Sequence, residues 1–444
     1  MGGSILDIPE IQGLDARRGL VRIPDQLDVP LTGRVRQVVD TPEFRRLSQI
    51  SQLGLVALVY PAAHHTRFEH SLGAYRMALL YLKQLAHDPR FAAAVQPADA
   101  EVLIAAALLH DLGHWPFCHP IEDLQLPGVP QHELFANSFL LEGELADALR
   151  DDWGIAPREI VALLTGKPRD VKGRILHSLL SGPIDIDKMD YLVRDSLHAG
   201  VPYGRNFDQP RLIGSLCLNQ AGDGLALTDK GRTAAEMMVF SRYVMFSEVY
   251  WHHAVRAATA MLQRAFFLLY QQLDLDTLFR QTESSMIDQM RQAAGAGPAG
   301  DLLDGLFGPT RRLYKRVAQY SSYERGEIYR RLTRQPYPWL VACGEQLAHV
   351  LSRRLGRRIA PHELLLDAPP IAHEVEFHVE IFFSKEGLYR PLSEVSPVVR
   401  TLAQRQFDDY VKRVRIFAHP RIAGELRQMD DLTQLLDEAI GRMA

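Results

Sequence analysis

The chain has 444 residues, too many for one compact core, so two or three lobes are expected. It is 47% hydrophobic and 23% charged, and its formal net charge of -4 supplies no global basic field for nucleic acid, although a local basic pocket stays open. Three cysteines without a CxxC pair argue against a disulfide framework or a thiolate zinc centre. No stretch approaches a secretory signal or the roughly 18 apolar residues of a membrane helix, so a cytoplasmic protein with no membrane partner is expected.

Residues 1–30 are punctuated by Pro9, Gly13, Gly19, Pro24 and Pro30, and residues 20–30 read as a short extended segment. Thr41 with Pro42 supplies an N-cap and a first helical residue. Phe68, Leu72, Tyr75 and Leu79 recur at helical spacing, which predicts an amphipathic helix over residues 66–85. Residues 99–113, "DAEVLIAAALLHDLG", are apolar on nearly every side, so a central buried helix is expected there, with Gly113 as its stop. Further helices are predicted near 131–150, 157–165, 170–181, 185–198 and 231–275. Residues 293–301 are rich in Gly, Ala and Pro and read as a loop or linker. More helical sequence follows, over 321–332 and 337–356. Alternation over residues 373–383 predicts a half-buried strand, and residues 413–420 a second. The expected fold is mainly α: an N-terminal segment (1–45) packing on the core, a multi-helix catalytic core (46–290) and a smaller C-terminal α+β lobe (291–444).

The chemistry concentrates at the end of the buried helix. His110 and Asp111 are adjacent there, and from a last helical turn both can converge on one ion although they diverge by about 100°. His70 stands near the start of another helix, and "IDIDKMDYLVRD" offers Asp185, Asp187, Asp190 and Asp195. Two imidazoles with two carboxylates make a mixed nitrogen and oxygen set, suited to Mg, Mn, Fe, Co, Ni or Zn. By itself a buried His-Asp is as readily a hydrogen-bonded core pair.

The order H…HD…D resembles the HD-domain phosphohydrolases. The likeness extends through "DTPEFRRLSQISQLG", "YPAAHHTRFEHSLG", "LLHDLGHWPFCH", "IDIDKMDYLVRD" and "VYWHHAVRAATAML". These blocks, over roughly residues 30–270, look like the branch typified by the sterile-alpha-motif/HD-domain dNTP triphosphohydrolases and their bacterial relatives. The resemblance implies His70, His110, Asp111 and Asp187 as ligands of a divalent cation, with Asp185 behind them. Such a cation lowers the pKa of water and polarises a phosphoryl oxygen. It implies His119 as the acid that protonates the leaving O5′, oriented by Glu122, and His114 and His132 beside the phosphates. Glu133, next to His132, is equally a partner for it or a surface helix residue. Histidines packed around Trp115, Phe117 and Pro120 are the plainer alternative.

For the substrate, the resemblance implies Arg67, Lys188 and Arg242 on the phosphates. Gln52, Leu53, Tyr191, Asp195 and Tyr250 would surround the sugar, with His252 nearby. Trp251 stands where the vertebrate member has a glutamine near the base. The family's N-terminal "DPxHG" element reads "DARRG" here (Asp15 to Gly19), so the regulatory nucleotide site it serves in vertebrate members is not carried over. The expected activity is hydrolysis of a dNTP at the α-phosphate, by a homo-oligomer (dimer or tetramer) of the kind seen among relatives. Two alternatives stay open. One is an HD phosphohydrolase acting on nucleoside monophosphates, signalling nucleotides or single-stranded nucleic acid, the last disfavoured by the charge. The other is a nucleotide sensor without turnover.

Overall fold

The computed structural model describes residues 3–24, 28–369, 378–405 and 411–443. The fold is a mainly helical body with small sheets and a C-terminal α+β portion. Seven helices frame the site: α1 (Arg67–Leu85), α2 (Pro97–Leu109), α3 (Cys118–Glu122), α4 (His132–Phe135), α5 (Ile186–His198), α6 (Arg232–Met245) and α7 (His253–Leu269).

Local chemistry starts these helices where the sequence predicts. The Thr66 hydroxyl accepts the Glu69 N–H at the start of α1, and Thr41 accepts from Phe44 ahead of Pro42. Leu72, Tyr75 and Leu79 bury the apolar face of α1. α2 is buried on nearly all sides, as its uniform apolarity requires, and it ends at Leu109, before Gly113. α1 lies between α2 and α5. A Cβ on Gly73 would sit 2.0 Å from Asp190 Oδ1, so glycine is what lets α1 approach α5 this closely.

Several local readings change. The extended segment at 20–30 contributes strands β1 (Leu20–Arg22) and β2 (Asp28–Pro30), paired antiparallel. The helical stretch near 131–150 is three short pieces. The helix expected over 231–275 is broken: a π turn, Phe246–Tyr250, separates α6 from α7, closed by Trp251 N–H donating to the Phe246 carbonyl at 2.8 Å. The loop or linker at 293–301 shrinks, because Pro298 opens a helix, Pro298–Phe307, whose Leu302, Leu303 and Leu306 pack into the main core.

Hairpin β3 (Leu216–Leu218) and β4 (Leu225–Thr228) is a further addition, and so is β5 (Lys315–Tyr320), just ahead of the helical sequence expected from residue 321. β6 (Leu364–Asp367), β7 (Glu380–Phe383), β8 (Leu388–Pro391) and β9 (Val414–Ala418) follow. The two strands read from sequence belong to different sheets. β9 is central in β5-β9-β6, whereas β7 pairs parallel to β4 in β3-β4-β7-β8. Residues 373–377 of the first predicted strand lie outside the described residues. A second apolar cluster, built on β5, β6, β9 and the helix Tyr337–Leu355, forms the C-terminal portion.

One buried ion pair ties that portion to the helical body. Arg256 on α7 grips Asp367 of β6 through two bonds, 2.5 and 3.2 Å, with the Asp367 side chain 1% exposed. Asp367→Ala leaves the Arg256 guanidinium buried without its carboxylate, and the expected loss is about 3–5 kcal/mol in urea unfolding. A change below about 1 kcal/mol would show that the pair carries no such load.

Candidate active site

Helix ends deliver the ligand atoms. His110 follows α2, Asp187 lies in the first turn of α5, and His70 faces them from the first turn of α1. His70 Nε2 stands 3.1 Å from His110 Nε2 and 3.0 Å from Asp187 Oδ1, and His110 Nε2 is 3.8 Å from the same oxygen. The far ring nitrogens are occupied: His70 Nδ1–H donates to Asp190 Oδ2 at 2.8 Å, and His110 Nδ1–H to the Ala107 carbonyl at 2.9 Å. The two Nε2 atoms therefore face each other beside a carboxylate, an arrangement that a positive charge between them, a proton or a metal ion, stabilises. Ligands about 2.1 Å from one ion at right angles are about 3 Å apart, so the set fits a cation. The electrostatics agree. Burial alone would lower the His70 pKa, yet Asp187 and Asp190 push it up to about 10.

Asp111 stands at one remove. Its Oδ1 is 3.5 Å from His110 Nε2 and 3.1 Å from His114 Nδ1, and its Oδ2 accepts from Arg67 at 2.8 Å. Burial would raise its pKa, but His114 and Arg67 hold it well below the usual carboxylate range.

Beyond Asp111 the chain turns sharply. Phe117 adopts a left-handed conformation (φ 56°), rare for a bulky residue and costing about 1–3 kcal/mol, and it starts α3 so that His119 and Glu122 face the site. A Cβ on Gly113 would lie 2.0 Å from the His132 carbonyl, so this glycine is what admits α4 beside the turn. His114 is buried, whereas the His119 side chain is 62% exposed. Glu122 is committed elsewhere than expected. Its carboxylate takes the His132 N–H at 2.7 Å and Nδ1–H at 2.9 Å, with His119 Nδ1 farther away at 3.6 Å. Glu133 Oε1 is 3.3 Å from His132 Nε2. Burial would lower the His132 pKa, but Glu122 raises it; burial, then Arg67, lowers that of His114 well below normal.

His110, Asp111, His114, His119, His132, Glu133 and Asp187 line one cavity of about 620 Å³ together with Gln52, Leu53, Arg67, Tyr191, Asp195, Tyr250 and Trp251, with His70 and Glu122 set behind that lining. At its far wall, Tyr250 O–H donates to Asp195 Oδ2 at 2.6 Å and His65 Nε2–H to Oδ1 at 2.8 Å. The Arg256 guanidinium lies 4.2 Å over the Trp251 ring. Three residues expected near the substrate are not in the lining. Lys188 is drawn to Asp185, the N-cap of α5, at 2.6 Å, because a buried carboxylate needs a cation. Arg242 stacks on Phe246 at 5.2 Å, and His252 caps α7.

With this geometry in place, comparison with known proteins is decisive. The HD domain family matches residues 67–195, and the HD associated region family matches residues 207–435, more than half the chain. The chain belongs to the HD-domain phosphohydrolase superfamily. It is 30% identical to an uncharacterised protein of Methanocaldococcus jannaschii, over 93% of this chain and 82% of that one. It is 28% identical to a deoxynucleoside triphosphate triphosphohydrolase of Gallus gallus, over 52% of this chain and 42% of the relative. The chain thus spans less than half of that curated triphosphohydrolase. A crystal structure of an Aquifex aeolicus protein is similar with a TM-score of 0.69 at 26% identity, covering 90% of this chain and 96% of that one. Among the described residues no helix is long and apolar enough to cross a membrane.

In this HD-domain chain the sequence reading passed over two groups that the fold makes important. Asp190 sits behind His70 and is itself held by Arg194 through 2.7 and 2.8 Å bonds, while Arg194 also reaches Glu69. His65 buttresses Asp195 and stacks on His198 at 4.4 Å. Asp190 was one of four aspartates on offer, and its place on the inward face of α5 was the available signal. A carboxylate behind a ligating histidine fixes its tautomer, so Asp190→Asn is expected to weaken cation affinity about 10–100-fold. Competition against a fluorescent chelator measures this, and unchanged affinity would remove Asp190 from the site.

Proposed function

We propose that this HD-domain hydrolase cleaves a deoxynucleoside triphosphate at the α-phosphate, releasing deoxynucleoside and intact triphosphate. The observation that supports the reading is a single cavity that joins His110, Asp111 and Asp187 of the cation set, the exposed His119 and the Tyr191–Asp195–Tyr250 wall. Its volume suits a nucleotide-sized ligand. Tyr250 and His65 each donate to one Asp195 oxygen and so fix that carboxylate on the sugar wall.

In this reading His70, His110, Asp187 and Asp111 hold a divalent cation. When bound, such a cation makes hydroxide available near neutral pH and polarises a phosphoryl oxygen. Arg67, fixed by Asp111, faces the phosphates, and neutral His114 offers a hydrogen bond without a second full charge. His119 gives its proton to the departing O5′. The Glu122–His132 pair supports the turn that presents His119. Tyr191 and Tyr250 enclose the sugar, and Trp251 meets the base.

The test is a product assay. Each dNTP and rNTP is incubated with Mg, Mn or Co, and products are resolved by ion exchange. Triphosphate and deoxynucleoside from dNTPs alone are expected. Orthophosphate or pyrophosphate release would move the cleaved bond, and turnover confined to monophosphates or oligonucleotides would replace the substrate.

A further inference from the structure

We propose a second metal site in the same cavity, formed by His114, His119 and His132. It takes a nitrogen-seeking transition ion such as zinc, and its occupation switches the enzyme off. One ligand atom from each residue lies within 4.8 Å of the others. Three imidazoles on one tetrahedral ion, with bonds near 2.05 Å, place their ring centroids about 5.2 Å apart. The His114–His119 and His119–His132 centroids are 5.1 and 5.4 Å apart. The His114–His132 pair is closer, at 3.9 Å, so an ion opens that pair by about 1 Å.

The surroundings are built as a metal site's are. His132 Nδ1 is 2.9 Å from a Glu122 oxygen, and His114 Nδ1 is 3.1 Å from Asp111 Oδ1. Each of these rings thus has a carboxylate behind it, the support that fixes ligating histidines. Glu133, 3.3 Å from His132 Nε2, adds a carboxylate at the open side. Of these three carboxylates, Asp111 is paired with Arg67. All-imidazole ligation selects zinc, cobalt or nickel over magnesium, unlike the mixed set at His70, His110 and Asp187. The inhibitory consequence rests on the reading of His119 as proton donor, because a ring nitrogen bound to an ion has no proton to give to the leaving oxygen. Ion binding itself does not rest on it.

The two parts are tested separately. Chelator-stripped full-length protein is dialysed against zinc or cobalt without nucleotide, and bound metal is counted by mass spectrometry. Two ions per chain are expected in the native protein, one in His119→Ala and one in His132→Gln. The exposed His119 side chain can be removed without disturbing the core. One ion in the native protein, or two retained in both variants, overturns the site. With manganese at the first site, one equivalent of zinc per chain is then expected to lower turnover at least tenfold, with both metals counted in the same sample. Two bound ions with undiminished turnover overturn the inhibitory role, and the count stands whatever the product assay returns.

Discussion

His70→Ala is expected to abolish stoichiometric binding of the catalytic cation and to lower kcat/KM by at least about 10³-fold, because the hydroxide supply depends on the cation's effect on water. The residue is central in two senses. Its Nε2 is within 3.1 Å of both other ligand atoms, and its Nδ1 anchors the ring to Asp190. Substitution leaves the fold supported, since Asp190 keeps both bonds from Arg194 and Asp187 keeps partial contact with water. Metal content at the first site, thermal unfolding and turnover should therefore separate: metal and turnover lost, unfolding little changed. Retention of that metal with full activity would dismiss the ligand set.

His119→Ala is expected to lower kcat about 10²–10⁴-fold while leaving the first cation in place, the range general-acid catalysis supplies. The sign of the pH dependence follows from the role. An acid must be protonated to act, so native turnover falls on the alkaline side, and the variant should lose that limb. The loss should be smaller for substrates with a better leaving group than a deoxyribose O5′, such as a nitrophenyl phosphodiester. His132→Ala differs in kind: Glu122, now strongly acidic through its contacts with His119 and His132, is stripped of its main partner, so stability falls together with rate. An unchanged pH profile in His119→Ala would assign the acid elsewhere.

Much of the site was legible because its signals are local. A Thr before a helical run, a proline at its first turn and an apolar stretch ending in His-Asp each act over a few residues, and the helices begin where these dictate. What stayed hidden was the long-range pairing. Alternation correctly marked residues 380–383 and 414–418 as strands, but alternation names no partner, and parallel pairing of β7 with β4 joins residues some 150 apart. The π turn at Phe246–Tyr250 sits in sequence with ordinary helical propensity. Its benefit, Tyr250 brought to Asp195, lies on another helix.

The sequence by itself determined the helical body, the identity of the residues offered to a cation and the family. Capping and 3.6-residue periodicity are short-range, and ligand chemistry belongs to the side chain. Only the tertiary structure decided which aspartate stands behind His70, 120 residues away, and which carboxylate Lys188 serves. It also decided that Glu122 leans on His132 more closely than on His119. These are choices among chemically equivalent groups. They are settled by packing, by the requirement that each buried charge find a partner, and by glycines at 73 and 113 that let the segments meet.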